Sequence, residues 1–379
     1  MFVSVYVDDL LLLPSDEAIL LDFITHLQKH VHDPSDVKHS SLCTEILGVK
    51  IDQQRTDKHR SIHLSQGQMV KELLQKFDAQ NSTPKDSPAG KPLYSLEPNE
   101  NPDPATHNRY RALVGSLLYL SGSTRPDITF PTNQLCRFMH APSADAMKCA
   151  LRILRYLKSD VGAGIHFAAT GPPITPTHSP QSSPPLYHPV PFSTDPPTPP
   201  TRVQPDKCTH QVTGASSRPP VKGAADSNWS SPRSCTGYIF TLCGGPLMWY
   251  SGMQRTAALS TSEAEWLALS AAVRSACYII DATDFAGMRQ KSIPIAQDNA
   301  GCITWASTST GHSKRRHIDL ASWNVTDAVT AGSVRLTQVP SREQPADFLT
   351  KVLPSPLEYK RAHQRFVTYK MPRHAHPPR

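Results

Sequence analysis

Four carboxylates in the second half of the chain, Asp226, Glu265, Asp298 and Asp347, each stand where a strand is expected to end or a helix to begin. Hydrolysing a phosphodiester takes an activated water and a stabilised leaving oxygen, and two divalent cations roughly 4 Å apart supply both. Mg²⁺ takes hard oxygen ligands, so carboxylates from distant parts of the chain must be brought to one place. Strand ends and helix starts can do that rigidly. A second acidic feature lies at the other end, where FVSVYVDDLLLL sets Asp8 and Asp9 between two apolar runs.

Each of these residues has a plainer reading. Glu265 follows Ser262 by three positions, as the second half of a capping box would. Glu263 competes with Glu265 for any catalytic role. Asp298-Asn299 suits the cap of the helix that follows, and Asp347 suits a first helical turn, where the dipole favours negative charge. Asp8 and Asp9 suit an ordinary turn between two strands.

The elements that must position them follow from apolar periodicity. Phe2–Tyr6 and Leu10–Leu13 read as a hairpin, Asp16–Lys29 as an amphipathic helix, and Ile46–Ile51 as a strand. Ser65 and Gln68 read as a capping box for a helix striped by Met69, Leu73, Leu74 and Phe77. Helices are expected over Tyr110–Ser121 and Ala144–Lys158. Between 168 and 220, fifteen of the 36 prolines fall among Ser, Thr and Gly, a composition that reads as a disordered linker. From Val221 onward, a strand into Asp226, strands at Gly237–Leu242 and Leu247–Tyr250, and a long helix over Ser262–Asp281 are expected. A strand at Ser292–Ala296, a short helix at Asn299–Ala306, a helix from Ile318, a strand at Val334–Val339 and a closing helix from Pro345 follow. Three antiparallel strands and then strand–helix alternation imply a mixed five-stranded sheet flanked by helices.

Composition narrows the class. A length of 379 residues suits two or three domains, and a net charge of +7 has the sign that suits a phosphate backbone. Eight dispersed cysteines without a C-x-x-C pair fit a reducing compartment rather than a disulfide framework. No apolar run approaches the ~20 residues of a membrane span, and the acidic start is not a signal peptide. A soluble intracellular protein, cytoplasmic or nuclear, is expected.

The strings GAADSNWS, SCTGYIFTLCGGPLMWYSGMQ, LSTSEAEWLALS, QDNAGCI, SKRRHIDL and VPSREQPADFLTKVL occur in this order and resemble the RNase H domain of copia-type LTR retrotransposons. The N-terminal half resembles the reverse transcriptase of the same elements, through Tyr6-Val7-Asp8-Asp9, ILGVKI, LSQGQMVKELLQKF, YRALVGSLLYLSGSTRPDI and LRILRYLKSD. The resemblance implies an α/β (α+β) chain in which a truncated palm/thumb fragment (1–167) precedes the linker (168–220). An RNase H-like mixed five-stranded sheet with flanking helices (221–355) and a basic tail (356–379) follow. It further implies two Mg²⁺ or Mn²⁺ ions, with Asp226 as central ligand and Glu265, Asp298 and Asp347 around it. Asp8 and Asp9 would be metal ligands of a polymerase remnant. An RNA–DNA hybrid is the implied substrate, with Lys314, Arg315, Arg316 and His317 near its phosphates, and upstream Pol segments are implied partners. Polymerisation by this chain alone is not expected, since a palm needs a further aspartate and fingers and Met1 directly precedes the hairpin. The pattern is broken at Asn228, at Ala224-Ala225 and at Ser341-Arg342-Glu343, which lacks a histidine. Those departures keep open a second expectation, a catalytically silent relic or nucleic-acid-binding scaffold.

Overall fold

The structure is a computed structural model that describes residues 1–170, 220–228, 233–307 and 319–367, apart from 15, 34, 36, 41, 57 and 58. Most of the proline-rich stretch, Trp229, the basic run Lys314–His317 and residues 368–379 therefore lie outside the described residues.

The chain opens with β1 (Phe2–Tyr6) and β2 (Asp9–Leu13), an antiparallel pair that joins no third strand among the described residues. Helix α1 (Glu17–His30) follows, with the Asp16 carboxylate accepting from the Ala18 N–H at its start. The ILGVKI run, expected as one strand, is instead a hairpin between β3 (Glu45–Ile46) and β4 (Val49–Arg55). Leu47 and Gly48 both take positive φ, 50° and 68°, as a tight two-residue hairpin turn requires. Strands β5 (His59–Ser65) and β6 (Gly164–Thr170) complete a four-stranded antiparallel sheet that the sequence did not reveal. Thr170 thus lies three residues beyond the expected end of the N-terminal unit.

Helix α2 (Gly67–Lys76) starts without the anticipated capping box. Ser65 is still in β5, paired with Gly164, and Gln66 at the cap makes no side-chain bond to the helix. Helices α3 (Pro104–Ser123), α4 (Thr129–Cys136) and α5 (Ala144–Leu157) then pack together, with Tyr110, Leu113, Leu117, Ile153 and Leu157 fully buried. Between them Arg125 and Asp127, both buried, form a bidentate pair at 3.0 and 2.8 Å, and the Tyr156 hydroxyl donates to Asp127 at 2.8 Å.

The second half builds the expected mixed sheet. Strands β7 (Lys222–Asn228), β8 (Cys235–Leu242) and β9 (Gly245–Met253) form an antiparallel meander. Helix α6 (Thr261–Phe285) leads to β10 (Ile293–Gln297), and α7 (Ala300–Ser307) and α8 (Asp319–Thr330) lead to β11 (Val334–Gln338). The order is β11-β10-β7-β8-β9, with β10 parallel to both neighbours, so β7 is central. That placement explains its small residues. Ala224 faces one core and Ala225 the other, and both are fully covered.

One core contains Val273, Leu269 and Ile279 of α6 with Ile293, Ile295 and Phe240. The other joins the two halves of the chain, packing Leu117 and Leu154 with Ile239, Phe348 and Leu349. The Trp249 indole N–H donates to the Ser121 carbonyl across this junction at 2.8 Å. No helix among the described residues is long and apolar enough to cross a membrane.

Two expectations at the C-terminus need correction. The closing helix from Pro345 is only a 3-10 turn over Asp347–Leu349, and α9 (Pro356–Phe366) starts afresh behind the Ser355 cap. The proline at 354 and Pro356 cannot donate the backbone hydrogen bonds that one continuous helix would need. The segment read as a basic tail begins with α9, whose Tyr359 and Phe366 lie in the shared core.

Candidate metal centre

Asp226 lies on the central strand and is only 2% exposed, an unusual place for a carboxylate. Two features hold it there. The Gln344 amide donates to the carbonyl of the preceding Ala225 at 3.0 Å, and the Thr350 hydroxyl donates to Asp226 Oδ2. Thr350 reaches it because Gly237, opposite Asp226 on β8, carries no side chain. A Cβ at Gly237 would lie 2.6 Å from Thr350 Cγ2 and 2.9 Å from Leu349 Cβ.

Glu265 reaches the strand from α6, where its Oε2 accepts from the Ser227 N–H at 3.2 Å. Glu263 makes a different set of contacts, those of a helix cap. The Ser260 hydroxyl, not Ser262, accepts from the Glu263 N–H at 3.1 Å, and Glu263 Oε2 turns back to accept from the Leu259 N–H at 2.7 Å. Glu263 is thus occupied at the helix start, two residues before Glu265 and on another face of α6.

Asp298 follows β10 and is not a helix cap. Gln297 Oε1 accepts from the Asp298 and Asn299 N–H groups at 2.8 and 3.1 Å, while Asn299 Oδ1 accepts from the Cys302 N–H at 3.1 Å. The neighbours thus satisfy the turn and leave the Asp298 carboxylate available. Asp226, Glu265 and Asp298 present ligand oxygens that all lie within 4.8 Å of one another, the one such group of three among the described residues. Asp347 stands beside them rather than in that group, and Lys351 Nζ contacts its Oδ1 at 2.9 Å.

The electrostatics record the crowding. Burial above all pushes Asp226 up to about 7; Lys351 opposes the shift and Asp347 adds to it. Glu265 is pushed up to about 9, again by burial first and then by Asp226 and Asp298. Burial also raises Asp347 against the pull of Lys351. Burial would lower Lys351, but the surrounding carboxylates outweigh it and hold the ammonium charged. Three hard oxygen donors at this spacing, carrying more negative charge than their surroundings neutralise, fit a divalent cation.

The remaining candidates divide. Asp8 and Asp9 are exposed at the β1–β2 turn, with Val7 strained at φ 49°, and no group of three ligating side chains forms there among the described residues. Lys314, Arg315, Arg316 and His317 fall outside the described residues, as does the side chain of Asp319. Trp266 and Trp305 pack edge to face at 5.9 Å beside the α6 core. Sequence reasoning missed Gln344, Thr350 and Lys351. The spacing of Lys351 four residues after Asp347 was a usable signal for an ion pair.

No protein-family model matches the chain. It is 27% identical over 362 residues to the retrovirus-related Pol polyprotein from transposon TNT 1-94 of Nicotiana tabacum, covering 92% of this chain and 23% of that protein. It is 26% identical over 358 residues to the corresponding polyprotein from transposon RE1 of Arabidopsis thaliana, covering 93% of this chain and 20% of that one. The chain therefore spans less than a quarter of the length of these relatives. Among solved structures, RNase H1 from the halophilic archaeon Halobacterium salinarum NRC-1 matches with a TM-score of 0.28 and 17% identity, over 34% of this chain and 93% of that one. Along nearly its whole length the chain is thus similar to the retrovirus-related Pol polyproteins of copia-type retrotransposons.

Proposed function

We propose that the second half of the chain is a ribonuclease H that cuts the RNA strand of an RNA–DNA hybrid with Mg²⁺ or Mn²⁺. The observation that carries this reading is the convergence of Asp226, Glu265 and Asp298 from β7, α6 and the end of β10. Bound there, a divalent cation supplies Lewis-acid activation of water and neutralises charge on the phosphate. The chain's own groups do the positioning. The Ser227 N–H fixes Glu265, the Thr350 hydroxyl fixes Asp226, and the Gln297 amide shapes the turn that presents Asp298. Asp347 stands as a fourth carboxylate beside these three, paired with Lys351. A hybrid duplex would be recognised by its shape and its 2′-hydroxyls, with Lys314, Arg315, Arg316 and His317 proposed near phosphates.

The β1–β2 hairpin is proposed as a polymerase remnant without activity of its own, because Asp8 and Asp9 gather no third carboxylate among the described residues. The test is Mg²⁺-dependent cleavage of an end-labelled hybrid by the wild type and by Asp298→Asn. Cleavage is expected to fall at least about 100-fold in the variant, the scale on which single catalytic groups act. Equal cleavage by both would reject the ligand assignment. Salt-sensitive hybrid binding without cleavage in either protein would favour the silent scaffold.

A further inference from the structure

We infer that the Lys351 ammonium is a tethered positive charge that stands in for a second divalent cation in the free protein. The inference rests on the metal-centre reading above and assigns Lys351 a positioning role within it. Asp347 was expected as a fourth metal ligand, yet its Oδ1 pairs with Lys351 Nζ at 2.9 Å, while the other three carboxylates converge without it.

The local backbone enforces this pairing. The Thr350 and Lys351 N–H groups both donate to the Asp347 carbonyl, at 3.1 and 3.2 Å, closing a single helical turn. That turn sets Lys351 over Asp347 while the Thr350 hydroxyl is committed to Asp226. The chain then breaks before α9, so the turn is held by these contacts rather than by a longer helix. The Lys351 side chain is 35% exposed and that of Asp347 is 23% exposed, so the pair is only partly screened by water.

Charge balance gives the pairing its consequence. Once metal binding has driven off their protons, the four carboxylates are neutralised in full by two divalent ions with no lysine present. With the ammonium in place, one divalent ion leaves a single negative charge, and a second ion would overshoot. It would also have to displace Lys351 from Asp347. The structure therefore favours one ion plus one ammonium, with Lys351 setting the stoichiometry.

The test is Mn²⁺ binding to the whole metal-free chain, followed by calorimetry and by the loss of free-ion electron-spin-resonance signal. Wild type, Lys351→Met and Lys351→Arg are compared, with Lys351→Gln measured if the methionine variant does not fold. Wild type and Lys351→Arg are expected to bind one ion tightly. The uncharged variant is expected to take up a second ion roughly tenfold or more tightly than wild type, as removal of a neighbouring unit charge implies. Identical stoichiometry and affinities in wild type and the uncharged variant overturn the inference, as does an arginine variant that behaves like the uncharged one. If wild type binds one ion and cuts hybrid but the uncharged variant binds no second ion, the inference alone fails. If the binding pattern holds and no hybrid is cut, the nuclease reading fails and the role of Lys351 stands. If no variant binds Mn²⁺, both fail together.

Discussion

Replacing Asp226 by Asn should stabilise the metal-free chain while weakening divalent-cation binding at the three-carboxylate centre. The folded protein resists ionisation of this carboxyl, which is pushed from 3.8 up to about 7 chiefly by burial. An acid with a raised folded-state pKa costs nothing below its unfolded value, because both states are protonated there. The cost grows from about pH 4 to about pH 7 and is fully present above, because the folded state holds on to a proton that the unfolded state releases. Roughly three units at about 1.4 kcal/mol each give an upper figure of about 4 kcal/mol. Glu265 shares the same excess of charge, so part of the relief is redistributed and about 2–4 kcal/mol is expected at pH 8. Asn can still accept from the Thr350 hydroxyl, so the variant loses little packing. The check is denaturation of wild type and Asp226→Asn in chelator at pH 5 and pH 8. The variant should be more stable at pH 8, by about 3–8 °C in its midpoint, with a much smaller gap at pH 5. Mg²⁺ should raise the wild-type midpoint and leave the variant unmoved. A variant that is less stable at pH 8, or equally stabilised at both pH values, would refute the account of a buried, underneutralised carboxylate.

Glu265→Gln should cut hybrid cleavage at least about 100-fold, whereas Glu263→Gln should cost about 1 kcal/mol or less through the helix start and leave cleavage within a few-fold. The reverse order of effects, read from cleavage rates and melting curves, would exchange their roles. Gly237→Ala should destabilise by about 1–3 kcal/mol and weaken Mn²⁺ binding, since the added methyl displaces Thr350 from Asp226. Wild-type binding in a calorimeter would contradict this. Asp127→Ala should cost about 3–5 kcal/mol in chemical denaturation by leaving the buried Arg125 unpaired. A loss below about 1 kcal/mol would mean that water reaches Arg125.

The mixed sheet was legible because β8 and β10 carry apolar stretches, β11 alternates apolar and polar residues, and the quoted strings fix their order. The four-stranded sheet was not, and β5 shows why. In HRSIHLS the polar positions Ser61, His63 and Ser65 are buried while Ile62 is 40% exposed. Its pattern is therefore inverted from the usual apolar-in alternation, and period-two reasoning had nothing to hold. The choice between Glu263 and Glu265 also lay beyond local pattern, because both sit in the same helix start. The cap contacts of Glu263 and the tertiary contact of Glu265 with the Ser227 N–H separate them. ILGVKI failed for a third reason, since an apolar run of that length hides a turn when the turn residue is Leu47.

These failures are not scattered at random around the centre. The central strand carries a buried aspartate, the helix expected after Pro345 stops at one turn, and a glycine replaces a side chain where Thr350 must approach. Each departs from what local propensity favours, and each brings an oxygen or an ammonium to the same few ångströms. The cost is borne by the surroundings, where Ala224 and Ala225 are sealed on both faces and the shared core ties α9 to the N-terminal helices. Departures from local rules that converge on one point mark a place shaped for something other than stability. That convergence is a stronger reason to look for chemistry at Asp226 than at Asp8 and Asp9, whose exposed turn strains one residue, Val7, and gathers no third ligating side chain among the described residues.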